Sequence, residues 1–145
     1  MFYISEYERY TTYHPAEGGI YISGLSHVDS AEYNSTKVAF LALMRIFKEA
    51  LANLGITAEN VVKNENGIIT YKKDEYFVVC DYSGFKTGVL YEHEGEYDES
   101  DGEPLEECKA YVSIYKDARY VDEIERTVYM VESEKGIHEK PAIYC

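Results

Sequence analysis

Residues 30–55, SAEYNSTKVAFLALMRIFKEALANLG, have the clearest periodic pattern in the chain. Their large apolar side chains recur at the three- and four-residue spacing of one helix face: Phe40, Leu43, Met44, Phe47, Leu51 and Leu54. Asp29, three residues before Glu32, is a capping-box variant, and Gly55 suits the left-handed position after a helix. The pattern predicts one long helix over about 30–54, whose apolar stripe needs a sheet to cover it.

The segments around this helix have strand patterns. Before it, two Tyr-, Thr- and Ile-rich runs within residues 2–22 flank the turn-forming residues 14–19, which predicts a hairpin. After it, residues 68–71, 76–80 and 89–91 predict a meander, with turns at residues 72–75 and at Ser83 and Gly84. The run 76–80 is apolar on both faces, as expected of a central strand.

Two further segments complete the predicted sheet. Residues 108–115 alternate between apolar and polar side chains, which indicates a half-buried strand. Residues 118–134 fit either a helix or a strand, and we favour a short helical turn followed by a strand near 127–131. The predicted fold is α+β, with a mostly antiparallel sheet of about five to six strands packed on the one helix. Residues 1–145 are predicted to form a single domain, since this length can bury a core unaided.

Acidic residues are concentrated in one stretch of the chain. The formal net charge is −13. Residues 91–107, the acidic stretch, contain nine acids and no Lys or Arg, whereas the other 128 residues contain 18 acids and 14 bases. Direct nucleic-acid binding and docking on anionic membrane are disfavoured, because both need clustered positive charge. A basic partner is favoured instead.

The sequence has no pattern for a cofactor or a structural metal. Cys80, Cys108 and Cys145 are odd in number and contain no CxxC, so they predict neither a disulfide framework nor a zinc site. An EF-hand with Gly102 at its sixth position would place Tyr97 first and Cys108 twelfth, and both fail as ligands. The N-terminus lacks a signal-peptide pattern, and we expect a cytoplasmic protein with reduced thiols.

The sequence contains residues that could serve two kinds of catalysis. Glu32 near a helix start and Asp81 at the end of a buried strand could hold a divalent metal in a small hydrolase or nuclease. Capping of the helix is the better explanation for Asp29 and Glu32. The four histidines neighbour no Cys or Ser in a nucleophile motif, and Cys80 lies in an apolar run typical of an inert core thiol.

The charge distribution favours a non-enzymatic binding protein. We expect it to inhibit a basic, nucleic-acid-handling enzyme by presenting negative charge where phosphates would lie, by analogy of size and charge with phage proteins that block restriction or CRISPR enzymes. A small-ligand-binding module with a Tyr-lined pocket is a further alternative. The predicted partner-binding residues are Glu92, Glu94, Glu96, Asp98, Glu99, Asp101, Glu103, Tyr97, Tyr111 and Tyr115.

Overall fold

The computed structural model describes residues 2–14, 19–90, 108–116, 125–133, 135–136 and 141–144. Within these ranges an antiparallel sheet packs against one main helix, so the predicted α+β class is confirmed. The helices and strands, in chain order, are β1 (Phe2–His14), β2 (Ile20–Tyr33), α1 (Thr36–Asn53), β3 (Val61–Glu65), β4 (Ile68–Lys73), β5 (Tyr76–Asp81), α2 (Ser83–Thr87), β6 (Tyr111–Lys116), β7 (Glu125–Glu132) and β8 (Pro141–Tyr144).

The sheet has the order β3-β4-β5-β6-β7-β1-β2-β8, and each neighbouring pair is antiparallel. In the described ranges seven strands form the main sheet and the four-residue β8 extends it at the β2 edge, so the predicted five to six strands were too few. The predicted N-terminal hairpin is confirmed as β1 and β2. The prediction of a central strand is also confirmed, because β5 lies between β4 and β6.

The other strand predictions had mixed outcomes. The predicted strand over 89–91 is wrong for its described residues, since α2 precedes them and Val89 and Leu90 lie outside any strand. Strand β3 was missed because all five of its residues are exposed, which leaves no apolar alternation to detect. For 118–134 the strand alternative is confirmed by β7, while 117–124 lie outside the described residues.

Helix α1 begins later than predicted. Ser35 is its N-cap, and the Ser35 hydroxyl accepts a hydrogen bond from the amide of Val38 at 3.3 Å. The predicted start near residue 30, with Asp29 and Glu32 as caps, is wrong because both acids lie in β2. There they pair with Glu6 and Tyr3 of β1, so the long hairpin overrides the local capping signal.

Helix α1 ends as the sequence predicts. Gly55 has a φ of +66°, its amide donates to the carbonyl of Ala52, and the amide of Ile56 donates to the carbonyl of Leu51 at 2.9 Å. These two bonds form a Schellman motif, and they satisfy carbonyls that would otherwise lack partners at the helix end. Lys73 of β4 adds a hydrogen bond to the carbonyl of Gly55 at 2.8 Å, which ties the helix end to the sheet.

Apolar side chains are buried on both faces of the sheet. On the helix face, Leu43 and Phe47 pack with core residues that include Val78, Cys80 and Val112. The opposite face contains a second buried cluster of Tyr7, Leu25, Cys108, Val128 and Met130. Strand β6 therefore contributes to both clusters, with Val112 on the helix face and Tyr111 packed on the opposite one.

Candidate partner-binding surface

Most of the predicted partner-binding residues lie outside the described residues. These are Glu92, Glu94, Glu96, Tyr97, Asp98, Glu99, Asp101 and Glu103, all within the acidic stretch. The residues that flank the stretch are joined by a hydrogen bond from the amide of Lys109 to the carbonyl of Leu90 at 2.8 Å. The described residues on either side of the stretch therefore lie next to each other, between α2 and β6.

A glycine makes this junction possible. The amide of Gly84 donates to the carbonyl of Lys109 at 2.8 Å. A Cβ atom on Gly84 would lie 2.8 Å from the carbonyl oxygens of both Lys109 and Val89. Real Cβ contacts are longer than this, so only glycine fits here without movement of the backbone. The predicted turn at Ser83 and Gly84 is in fact the first turn of α2.

Tyr111 is largely a packing residue in the described structure. Its side chain is half-buried against the cluster formed by Tyr7, Leu25, Cys108, Val128 and Met130. Burial, followed by the charge of Asp81, raises the pKa of the Tyr111 phenol well above its usual range. The Tyr111 phenol is therefore harder to ionise than a solvent-exposed tyrosine.

Tyr115 lies in a row of side chains across four strands. Its ring stacks on Phe77 with a centroid distance of 4.9 Å and an interplanar angle of 5°. The guanidinium of Arg126 lies 4.7 Å from the centroid of Tyr115, and the ammonium of Lys72 lies 5.1 Å from that of Phe77. Each member faces its direct cross-strand partner, so the row joins β4 to β7 through cation–π and stacking contacts. A role of Tyr111 and Tyr115 in partner binding stays a prediction.

The structure adds an acidic groove that sequence analysis missed. This acidic groove is a cavity of about 210 Å³ between α1 and the β1–β2 hairpin, and it is lined by Ile4, Glu6, Asp29, Ser30, Ala31, Tyr33, Ile46 and Tyr129. The Tyr129 hydroxyl donates to Glu6 Oε1 at 2.7 Å. Burial raises the pKa of Tyr129 to about 12, with further contributions from the Glu6 hydrogen bond and from the charges of Glu6, Glu8 and Glu49. Negative charge is therefore concentrated around this phenol.

A register shift explains why the sequence does not reveal the groove. Glu6 pairs with Asp29 while Tyr7 pairs with His27, so Val28 is an extra residue in β2. The two groove acids are 23 positions apart in the chain and become neighbours only through this pairing. To predict that Glu6 and Asp29 are neighbours, the exact pairing register of the hairpin must be known. The alternation of apolar and polar residues along each strand does not give that register.

The same bulge places His27 and Ser30 on one face of the sheet. His27 Nε2 lies 2.7 Å from Ser30 Oγ, which in turn lies 2.7 Å from Ser5 Oγ. A Ser–His pair at this distance can support nucleophilic catalysis. Here, however, Ser30 bridges His27 to the fully buried Ser5, an arrangement typical of a satisfied structural network. Beside it, the buried Tyr7 donates its hydroxyl hydrogen bond to Glu132 at 2.6 Å.

The two residues of the metal-site alternative, Asp81 and Glu32, do not lie close together in the structure. Asp81 is 3% exposed, and its Oδ1 accepts hydrogen bonds from the amide and the hydroxyl of Ser83, so it shapes the start of α2. Glu32 is exposed on β2, and three strands separate it from β5. At ~4.8 Å per strand the two residues are about 19 Å apart along the sheet. No group of three or more potential metal ligands occurs among the described residues.

The two described thiols are buried, as predicted for Cys80. Burial raises the pKa of Cys80 and that of Cys108 to about 12. Neither is therefore a thiolate nucleophile at neutral pH.

Comparison of the chain with protein-family models, with curated proteins and with solved structures finds no match in any of the three. In the part of the chain that the structure describes, no helix has the length and apolar character needed to cross a membrane.

Proposed function

We propose that this protein is a non-enzymatic inhibitor that binds a basic, nucleic-acid-handling enzyme in the cytoplasm and presents negative charge where phosphates would lie. The concentration of nine acids in residues 91–107 carries the proposal. A groove that binds nucleic acid is basic, and it gains much of its affinity by neutralising phosphate charge. A dense set of carboxylates can occupy the same groove through the same interaction.

Two features of the described residues support the proposal. The hydrogen bond between Leu90 and Lys109 holds the described residues on either side of the acidic stretch next to each other. The acidic groove shows that acids and tyrosines also cluster elsewhere on the fold, around Glu6, Asp29 and Tyr129. Tyrosine adds contact area at low entropic cost, and it is enriched in tight protein interfaces.

Charge neutralisation in the acidic stretch tests the proposal. The test variant combines Glu94→Gln, Glu96→Gln, Asp98→Asn and Glu99→Gln. The matched control removes four exposed acids elsewhere through Glu59→Gln, Glu65→Gln, Asp74→Asn and Glu125→Gln, which gives the same net charge. Immobilised parent and variants are used to capture proteins from a cell lysate at about 0.05 M and about 0.5 M salt. The two salt concentrations differ strongly in how far they screen interactions between charges.

We expect the parent and the control to capture the same basic protein at low salt, and duplex DNA to displace it. The test variant should lose most of this capture, because charges that each contribute ~0–1 kcal/mol act together. Equal capture by the test variant, or capture indifferent to DNA and salt, would refute the proposal. Circular dichroism of all three proteins verifies that the fold is retained.

A further inference from the structure

One described cavity is lined by positive charge, although the protein as a whole is acidic. This cationic cleft has a volume of about 370 Å³ and lies between the start of α1 and the segment that contains α2. It is lined by Thr36, Lys37, Phe40, Tyr82, Phe85 and Lys86. Its volume falls within the range of about 300–1,000 Å³ that is usual for small-molecule sites.

Three half-buried rings form the apolar part of the cationic cleft. Phe40 of α1 contacts Phe85 of α2 edge to face, with centroids 5.1 Å apart and an interplanar angle of 68°. The ammonium of Lys86 lies 4.8 Å from the ring centroid of Tyr82. Rings that are held in place and still partly exposed offer stacking surfaces to a planar ligand.

The polar part of the cleft is positive. Lys37 and Lys86 are both exposed, and among the described residues neither forms an ion pair. The described lining residues include no carboxylate, although acids outnumber bases by 27 to 14 in the whole chain. The first turn of α1 also contains no acid, so the positive end of the 18-residue helix is not neutralised locally.

These features together select one class of ligand. An apolar ring would stack on the exposed faces of these aromatic side chains, and a single anionic group would interact with the two ammonium groups. A neutral ring would leave the positive charges of the two lysines without a counter-charge, whereas an anion without a ring would leave the aromatic side chains exposed to water. We propose that the cationic cleft binds a small planar aromatic molecule that carries one phosphate or carboxylate group.

Titration calorimetry with defined probes tests this site. Adenosine 5′-monophosphate and 2-naphthoate each combine a planar ring with an anion, one as phosphate and the other as carboxylate. Adenosine supplies a ring without the anion, and inorganic phosphate supplies the anion alone. The test variant is Lys37→Gln with Lys86→Gln. The matched control is Lys48→Gln with Lys63→Gln, two exposed lysines outside the cleft.

At least one ring-plus-anion probe should bind the parent about tenfold more tightly than adenosine or phosphate does. The test variant should weaken that binding about tenfold, since two charge-assisted contacts are lost, and the control should leave it within about twofold. The stronger of the two ring-plus-anion probes identifies the preferred anion. The proposal is overturned if neither probe binds at millimolar concentration, or if the test and control variants bind equally. Unchanged melting temperatures without ligand show that both variants remain folded.

Discussion

Helix α1 borders two clefts of opposite charge. At its start, the cationic cleft combines Lys37 and Lys86 with three aromatic rings. Near Ile46, the acidic groove combines Glu6 and Asp29 with Tyr33 and Tyr129. Both clefts have aromatic walls, so the charged side chains distinguish the ligands that each would accept. Net charge describes the whole protein, but a binding site is defined by the few charges that line it.

Helix α1 contributes residues to both clefts, so a substitution that weakens its packing on the sheet should have the largest effect. Leu43 is fully buried in the core beneath α1, so Leu43→Ala should lower the free energy of unfolding by about 2–5 kcal/mol. Leu41 on the same helix is 57% exposed, and Leu41→Ala should cost less than about 0.5 kcal/mol. Urea denaturation measures both. Equal losses in the two variants would mean that α1 does not pack as described.

This pair of leucines also shows what the sequence could predict. The helical period predicted that Leu43, Phe47 and Leu51 face the sheet; Leu43 and Phe47 are buried, whereas Leu51 is only partly buried. The same period included Phe40, which is half-buried and forms a wall of the cationic cleft with Phe85. Periodicity gives the face of a helix that turns inward, but it does not say which part of that face another element leaves uncovered.

The clefts themselves could not be predicted, for a physical reason. Each combines residues that are distant in sequence, such as Glu6 with Asp29, or Lys37 with Lys86. Their proximity depends on a register shift in one hairpin and on the short helix α2, which the sequence indicated only as a turn. The acidic stretch was easier to detect because its acids lie within seventeen neighbouring positions of the chain. Charged residues that are close together in the chain can be read from the sequence, whereas residues that come together only on folding cannot.

A substitution at Gly84 should disturb the cationic cleft and leave the acidic groove unchanged. Gly84→Ala introduces a Cβ atom 2.8 Å from two carbonyl oxygens, and such overpacking should cost about 1–3 kcal/mol. Gly88 has a φ of +81° and no atom within 4 Å of an added Cβ, so Gly88→Asn should cost less, because Asn tolerates this backbone conformation. Denaturation measures stability, and the titration of Tyr129 reports on the acidic groove. A changed Tyr129 pKa in Gly84→Ala would show that the two clefts are not independent.

The smallest expected effect is a change in the pKa of Tyr129 when the charge of Glu6 is removed. Burial raises the pKa of Tyr129 from its ordinary value of 10.0 to about 12, and the charge of Glu6 contributes to this increase. Glu6→Gln keeps a hydrogen-bond acceptor for the phenol and removes only the charge. The pKa should therefore fall by about one unit, since a like charge nearby opposes ionisation. Carbon NMR of labelled tyrosine follows this titration directly.

The same shift predicts how stability depends on pH. The folded protein holds the Tyr129 proton more tightly than the unfolded chain, so the stabilisation is fully present below pH 10.0 and is lost as the pH rises through about 12. In Glu6→Gln the pKa of Tyr129 in the folded protein is closer to its value in the unfolded chain. The stabilisation should therefore be smaller, and it should be completely lost at a lower pH. Glu65→Gln, an exposed change on β3, should leave the profile as it is in the parent. If Glu6→Gln left the Tyr129 pKa at about 12, the charge of Glu6 would contribute nothing to the shift, and the description of the groove as a site where this carboxylate acts on the phenol would be wrong.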